Sequence, residues 1–237
     1  MKSILKRILK NKKKPLLAIL IDPEKFNPEV VIKSNTIADL YLIGGSILEK
    51  GQLSKCLGKI KKMTQLPIII FPGDTNQLDN RADATLLLSL ISGNNPDYLI
   101  GKHIEAAYKL RSLKHELIPT GYLLIDGGTI SATQKITRTT PISDKNINLI
   151  KRTVIAGELI GLKMIYLEAG SGAKSSLNNN IIKAVKSVTS LPIWVGGGIN
   201  SVTKYVSLKN SGVDVIVIGN ALENNLSLID DLKVIIK

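Results

Sequence analysis

Eight short apolar runs, each closed by Gly, Ser, Asp or Asn, set the strongest limit on how this chain can fold. They are residues 16–22 (LLAILID), 40–46 (LYLIGGS), 67–73 (PIIIFPG), 98–101 (YLIG), 118–126 (IPTGYLLID), 164–170 (MIYLEAG), 192–198 (PIWVGGG) and 215–220 (VIVIGN). Runs that are apolar almost throughout fit strands buried on both faces, as parallel sheets require. Helical patterns fall between them, at 29–36, 53–63, 84–91, 104–113, 147–160, 179–188 and 201–210, and residues 226–235 can close the chain. The spacing, roughly 30 residues per unit, is that of a βα repeat.

The runs start plainly, at Pro67, Pro192 and Val215, and end in polar chemistry. A (β/α)8 barrel has this asymmetry, because its site is built at the carboxyl ends of the strands. The rival α/β architecture, an open doubly wound sheet, calls for G-x-G-x-x-G after an early strand, and the chain has none. The expectation is a single-domain TIM barrel over residues 15–237, in which one helix position can be taken by irregular structure. Residues 73–83 are irregular after the third run, and 127–143 (GGTISATQKITRTTPIS) form a long Thr-rich connection before the next helix. A loop of that length in a compact domain is usually a lid or binding loop.

The chain of 237 residues has 32 Lys+Arg against 19 Asp+Glu, a net charge of +13, and is 44% hydrophobic, which excludes a disordered polypeptide. Cys56 stands alone, which excludes a disulfide scaffold. No run approaches the roughly 18 apolar residues of a membrane span, and no secretory pattern opens the chain, so a cytoplasmic protein is expected. Residues 1–14 (MKSILKRILKNKKK) supply +7 of the charge with no acid. Basic charge points to a polyanion: nucleic acid, an anionic membrane or phosphorylated substrates. Aromatic residues at 4% make nucleic acid the weakest of the three. Ile4, Leu5, Ile8 and Leu9 gather on one face of the basic segment, the pattern of a helix lying on a membrane surface; a solvated basic helix is the blander reading.

Three glycine-rich endings are adjacent in the expected barrel. The sixth run gives Tyr166 to Gly172, the seventh Gly197 and Gly198, the eighth Gly219 and Asn220. Glycines let backbone N–H groups approach a phosphate, and barrels often seat one after strands seven and eight. Alternation puts Tyr166 and Glu168 on one face and Leu167 on the other. A buried carboxylate at a strand end needs a partner or a function, and general base is the functional reading of Glu168. Asp22 and Ser46 end neighbouring runs and suit a hard cation such as Mg²⁺, although Asp22 serves equally as an N-cap. His103, His115 and Cys56 are too few for a zinc site.

The set IDPEK, LYLIGGS, IIIFPG, YLEAGSG, WVGGGI and VIVIGNALE resembles the geranylgeranylglyceryl phosphate synthases, which include bacterial heptaprenylglyceryl phosphate synthases. The resemblance runs in order from about Leu16 to Glu223. It implies a modified TIM barrel, Mg²⁺-dependent, that alkylates sn-glycerol 1-phosphate with a long prenyl diphosphate and releases diphosphate. It further implies that Asp22 and Ser46 hold Mg²⁺, that Glu168 deprotonates the attacking hydroxyl, and that Tyr166, Glu168, Ala169, Gly170, Ser171, Gly172, Gly197, Gly198, Gly219 and Asn220 bind glycerol 1-phosphate. A homo-oligomer, dimer or hexamer, is implied too; separately, the amphipathic pattern of the N-terminal segment leads to the expectation of peripheral membrane contact, as an accessory to the enzyme or, in the alternative of a binding protein, as its working part. Leu86, Leu87, Leu88 and Leu90 are expected to line the prenyl groove or the core behind it, and Lys135 or Arg138 to meet diphosphate. The smaller bacterial members carry a lysine where this chain has Leu20, with Lys174 a candidate substitute; the chain is nearer the archaeal-type or larger bacterial members. The alternative on the same fold is an aldose–ketose isomerase of a phosphoribosyl substrate using Asp22 and Asp126.

Overall fold

The computed structural model describes residues 3–11, 14–170, 172–173 and 176–236. Ser171 and Lys174, named above, lie outside the described residues. Eight parallel strands run in chain order: β1 (Leu16–Ile21), β2 (Leu40–Ile43), β3 (Ile68–Ile70), β4 (Ala84–Leu90), β5 (Glu116–Leu124), β6 (Met164–Glu168), β7 (Ile193–Gly196) and β8 (Val215–Ile218). Leu16 of β1 registers with Val215 of β8, which closes the barrel. Helix α1 (Ile4–Lys10) precedes β1, α2 (Pro28–Ser34) follows it, and α3 (Gln52–Ile60) follows β2. Next come α4 (Lys102–Ser112) after β4, α5 (Ala132–Thr137) and α6 (Ile147–Leu159) after β5, and α7 (Asn179–Lys186) after β6. The last are α8 (Val202–Lys209) after β7, then α9 (Asn220–Asn224) and α10 (Ser227–Ile236) after β8. No helix joins β3 to β4: residues 71–83 are irregular, the helix position given up to loop.

Strand alternation divides the core into two layers. Ala18, Leu42, Ile69, Leu86, Ile118, Tyr166, Trp194 and Val217 fill the barrel interior. Leu17, Ile43, Ile70, Leu123, Leu167 and Ile216 face the helices. Each strand therefore buries both sides, which is why the runs are apolar throughout.

Two readings of the sequence are corrected in one place. Residues 84–91, expected as a helix, form β4, and the run 98–101, expected as the fourth strand, is a π-helical turn (Asp97–Gly101) that leads into α4. ATLLLSL is rich in Leu, a strong helix former, but the segment pairs with β5 from Ala84↔Glu116 to Leu90↔Tyr122. Pro96 then opens the helical segment, as proline does readily at a helix start. The connection 127–143 is also less bare than expected, because α5 forms inside it with Ser131 as its N-cap.

Helix α1 packs against the barrel floor. Ile4 and Ile8 are 6% and 1% exposed and belong to the interior layer. The Glu116 carboxylate accepts the Ser3 hydroxyl at 2.6 Å and the Ile4 amide at 2.6 Å, so it caps α1 from the first residue of β5. The apolar face that suggested a membrane helix is thus mostly spent inside the protein; Leu9 remains exposed.

Candidate active site

Glu168 is the last residue of β6, and the alternation of that strand turns it into the barrel mouth. Its side chain is buried, and burial pushes its pKa up to about 7, against the partial relief of hydrogen bonds from the Gly170 amide and the Tyr166 hydroxyl. The Gly170 N–H donates to Oε1 at 2.8 Å. A carboxylate held near neutrality at a cavity wall can accept a proton and pass it on, which is the property a general base needs.

The glycines around it serve first to make room. A Cβ on Gly196 would meet the Tyr166 hydroxyl and lie 2.9 Å from Glu168 Oε2. At Gly197, with φ +86°, a Cβ would strike Glu168 Oε1 and stand 2.8 Å from the Gly170 nitrogen. The amides of 169 and 170 are already engaged, Ala169 N–H on the Gly196 carbonyl at 3.1 Å and Gly170 on Glu168. Gly170 therefore holds the carboxylate and Ala169 ties the turn to β7, while Gly172, Gly197, Gly198, Gly219 and Asn220 line the open cavity. Helix α9 starts at Asn220, after strand eight, where barrels commonly seat a phosphate.

That cavity, of about 350 Å³, brings together Tyr166, Glu168, Asp22 and Ser46 as well. Asp22 Oδ1 caps the 3₁₀ turn Pro23–Lys25 by accepting the Glu24 amide at 3.0 Å, so the N-cap role is real. The carboxylate lies against Gly45, whose Cβ would stand 2.8 Å from Oδ1. Asp22, exposed Ser46 and nearby Glu223 are hard oxygen donors. The cavity lining holds the carboxylates of Asp22, Asp74, Glu168 and Glu223. This donor chemistry fits a hard divalent cation that takes one or two protein ligands and completes its shell with water and substrate oxygens. Among the described residues no cluster of three His, Cys, Asp or Glu could hold a metal unaided.

The other half of the cavity is apolar. Leu86, Leu87, Leu88 and Leu90 of β4 all line it, with Ala106 and Leu110 of α4 and Ile136 of α5. Both sequence expectations for the leucines hold at once: Leu86 and Leu90 are also interior core, 0% and 4% exposed. Between the two halves stand Phe71, Tyr122 and Tyr166, with ring centroids 5.2 Å apart for Phe71–Tyr166 and 5.3 Å for the stacked tyrosines. Leu20 lies beneath Gly219, its Cβ 3.3 Å from where a Gly219 Cβ would be, so an apolar group fills that wall. Sequence reasoning passed over Phe71, Tyr122, Asp74, Lys102 and Glu223. The motifs IIIFPG and VIVIGNALE contain two of them, while the misread fourth unit hid Lys102. Asp126 is exposed and outside this cavity, with Oδ1 on the Gly128 amide at 2.9 Å. The isomerase alternative thereby loses its second carboxylate.

Fold and site define a (β/α)8-barrel enzyme whose chemistry sits at the carboxyl ends of its strands. The model of the PcrB family matches residues 6–236. A geranylgeranylglyceryl phosphate synthase of Zunongwangia profunda is 45% identical over 230 residues, covering 94% of this chain and 98% of that protein. The synthase of the archaeon Methanosphaera stadtmanae is 35% identical, covering 86% and 85%. The crystal structure of (S)-3-O-geranylgeranylglyceryl phosphate synthase from Thermoplasma acidophilum, in complex with sn-glycerol-1-phosphate, superposes with a TM-score of 0.91 at 27% identity, covering 100% of this chain and 98% of that one. The chain belongs to the PcrB family, that of the geranylgeranylglyceryl phosphate synthases.

Proposed function

We propose that this enzyme joins a long-chain prenyl diphosphate to the hydroxyl of sn-glycerol 1-phosphate, giving a prenyl ether of glycerol phosphate and diphosphate. The observation that carries the reading is the division of one cavity into a glycine-lined polar end, with Glu168 at about pKa 7, and an apolar end along β4 and α4. Glycerol phosphate belongs against Gly172, Gly197, Gly198, Gly219 and Asn220. Glu168 takes the proton of the attacking hydroxyl as the new C–O bond forms. The faces of Phe71, Tyr122 and Tyr166 border the point where the allylic carbon gains positive charge, and aromatic faces attract cations. The apolar end receives the tail and keeps water from the reacting carbon.

Asp22 and Ser46 are the residues to hold Mg²⁺, which when bound would neutralise the diphosphate leaving group. Lys2, Lys12 and Lys13 lie outside the described residues, and with Ile4 and Ile8 buried, contact of the N-terminal segment with anionic lipid would rest on Lys6, Arg7, Lys10 and Lys14. No helix among the described residues is long and apolar enough to cross a membrane. Self-association would cover Leu159 and Ile160 at the C-terminal end of α6, which are 80% and 72% exposed.

Glu168→Gln tests the chemistry. The variant should still bind glycerol 1-phosphate by calorimetry but lose turnover by ~10²–10⁴-fold, the usual worth of a general base. Full turnover in the variant would remove Glu168 from that role. A chelator should abolish wild-type turnover and added Mg²⁺ restore it; turnover that persists in the chelator would refute the cation.

A further inference from the structure

Positive charge is scarce in this cavity. Four carboxylates line it, and among the described lining residues Lys102 is the single lysine or arginine. A prenyl diphosphate brings several negative charges, which must be met as the leaving group departs. Lys135 and Arg138, the basic residues expected at this task, do not line the cavity; the α5 segment presents Thr133, Ile136 and Thr137 to it instead.

Lys102 is also in the right place. The chain at Gly73 packs so closely on the end of β2 that a Cβ there would stand 2.9 Å from the Ser46 Cα. The next residue, Asp74, takes the Lys102 ammonium at 2.9 Å. Lys102, the first residue of α4, is thus tied through Asp74 to the loop that packs on Ser46, and both Lys102 and Ser46 line the same cavity. Its second carboxylate, Glu105, is at 3.4 Å, and Glu105 accepts the Thr75 hydroxyl at 2.8 Å. The Lys102 and Asp74 side chains are 36% and 43% exposed. A pair so open to solvent is worth little and exchanges partners at small cost.

We propose that Lys102 is the diphosphate-binding cation of this site, resting on Asp74 and passing to the phosphate oxygens when the prenyl substrate enters. The allylic C–O bond then breaks with its electron pair going to diphosphate, whose added charge Lys102 meets. The glycerol oxygen bonds to the allylic carbon, and its proton goes to Glu168. The assignment rests on the prenyltransferase reading but has a readout of its own, the binding of inorganic diphosphate in the presence of Mg²⁺.

Lys102→Gln should weaken inorganic diphosphate binding ~10–100-fold by calorimetry, the worth of a charge-assisted hydrogen bond. It should raise KM for prenyl diphosphate by a similar factor and leave KM for glycerol 1-phosphate within about twofold, and Lys102→Arg should recover much of the loss. Asp74→Asn frees the lysine and should bind diphosphate at least as well as the wild type. If Asp74→Asn weakens binding as much as Lys102→Gln does, the pair is only a latch between the 71–83 loop and α4, and the proposal is overturned. Unchanged diphosphate affinity in Lys102→Gln, or no diphosphate binding by the wild type, overturns it as well. A wild type that binds diphosphate through Lys102 yet forms no ether would instead count against the prenyltransferase reading.

Discussion

Glu168 carries the tension of the site in a single side chain. Its pKa stands at about 7 in the folded protein against an ordinary 4.5, because burial disfavours the charge. The folded state thus holds a proton that the unfolded chain releases between those values. The stability it contributes is present below about pH 4.5 and is lost as pH rises through about 7. Glu168→Gln, neutral throughout, should therefore melt higher than the wild type above pH 7, by the equivalent of ~1–3 kcal/mol, and the two should converge near pH 4.5. Melting curves across that range check it, and a difference independent of pH would contradict it. Wild-type turnover should rise with pH through about 7 as the base ionises. Gly197→Ala tests the packing around the same group. With φ +86° and the carboxylate in the way, it should cost ~1–3 kcal/mol in stability and lower turnover sharply. Unaltered stability would mean the Glu168 pocket is looser than described. The place of Glu168 in the barrel mouth was legible because its strand alternates cleanly. The purpose of Gly196 and Gly197 was legible only in part: a glycine can admit a phosphate or a neighbouring side chain, and the choice depends on which strand lies beside it.

At the scale of elements, seven of the eight strands were legible from apolar runs closed by polar residues. The fourth was not. ATLLLSL satisfies a helix by propensity and a strand by pairing, and only the presence of β5 along its whole length decides. The error moved Lys102 from a helix start at the cavity to a position past a supposed strand. Helix α1 was legible as amphipathic but not as to what its apolar face meets, since a membrane and a barrel floor ask for the same side chains. Ile8→Ala should destabilise the enzyme by ~2–5 kcal/mol, as a buried Ile does when truncated. Glu116→Gln should also lower stability, because Ile4 and Ser3 both donate to that carboxylate. Thermal melts decide; if neither change lowers Tm, α1 is not a structural part of the barrel.

Over the whole molecule, net charge and local charge differ in sign. The excess of +13 suits a chain that meets polyanions, yet the described residues that line the cavity include four carboxylates and one lysine. In the function proposed above, glycine backbone, a divalent cation and Lys102 would take the place of a basic field in meeting the anionic substrates. This local acidity was invisible in the composition, because Asp74 enters the site from the 71–83 loop and Glu223 from α9, and only the closed barrel brings the two together. The most direct test is product analysis after incubation of the enzyme with sn-glycerol 1-phosphate, Mg²⁺ and a series of prenyl diphosphates of increasing length. The account predicts a prenyl ether of glycerol phosphate and free diphosphate for at least one long chain, and none from Glu168→Gln. Absence of any ether across the series, with the protein folded and glycerol 1-phosphate bound, would contradict it.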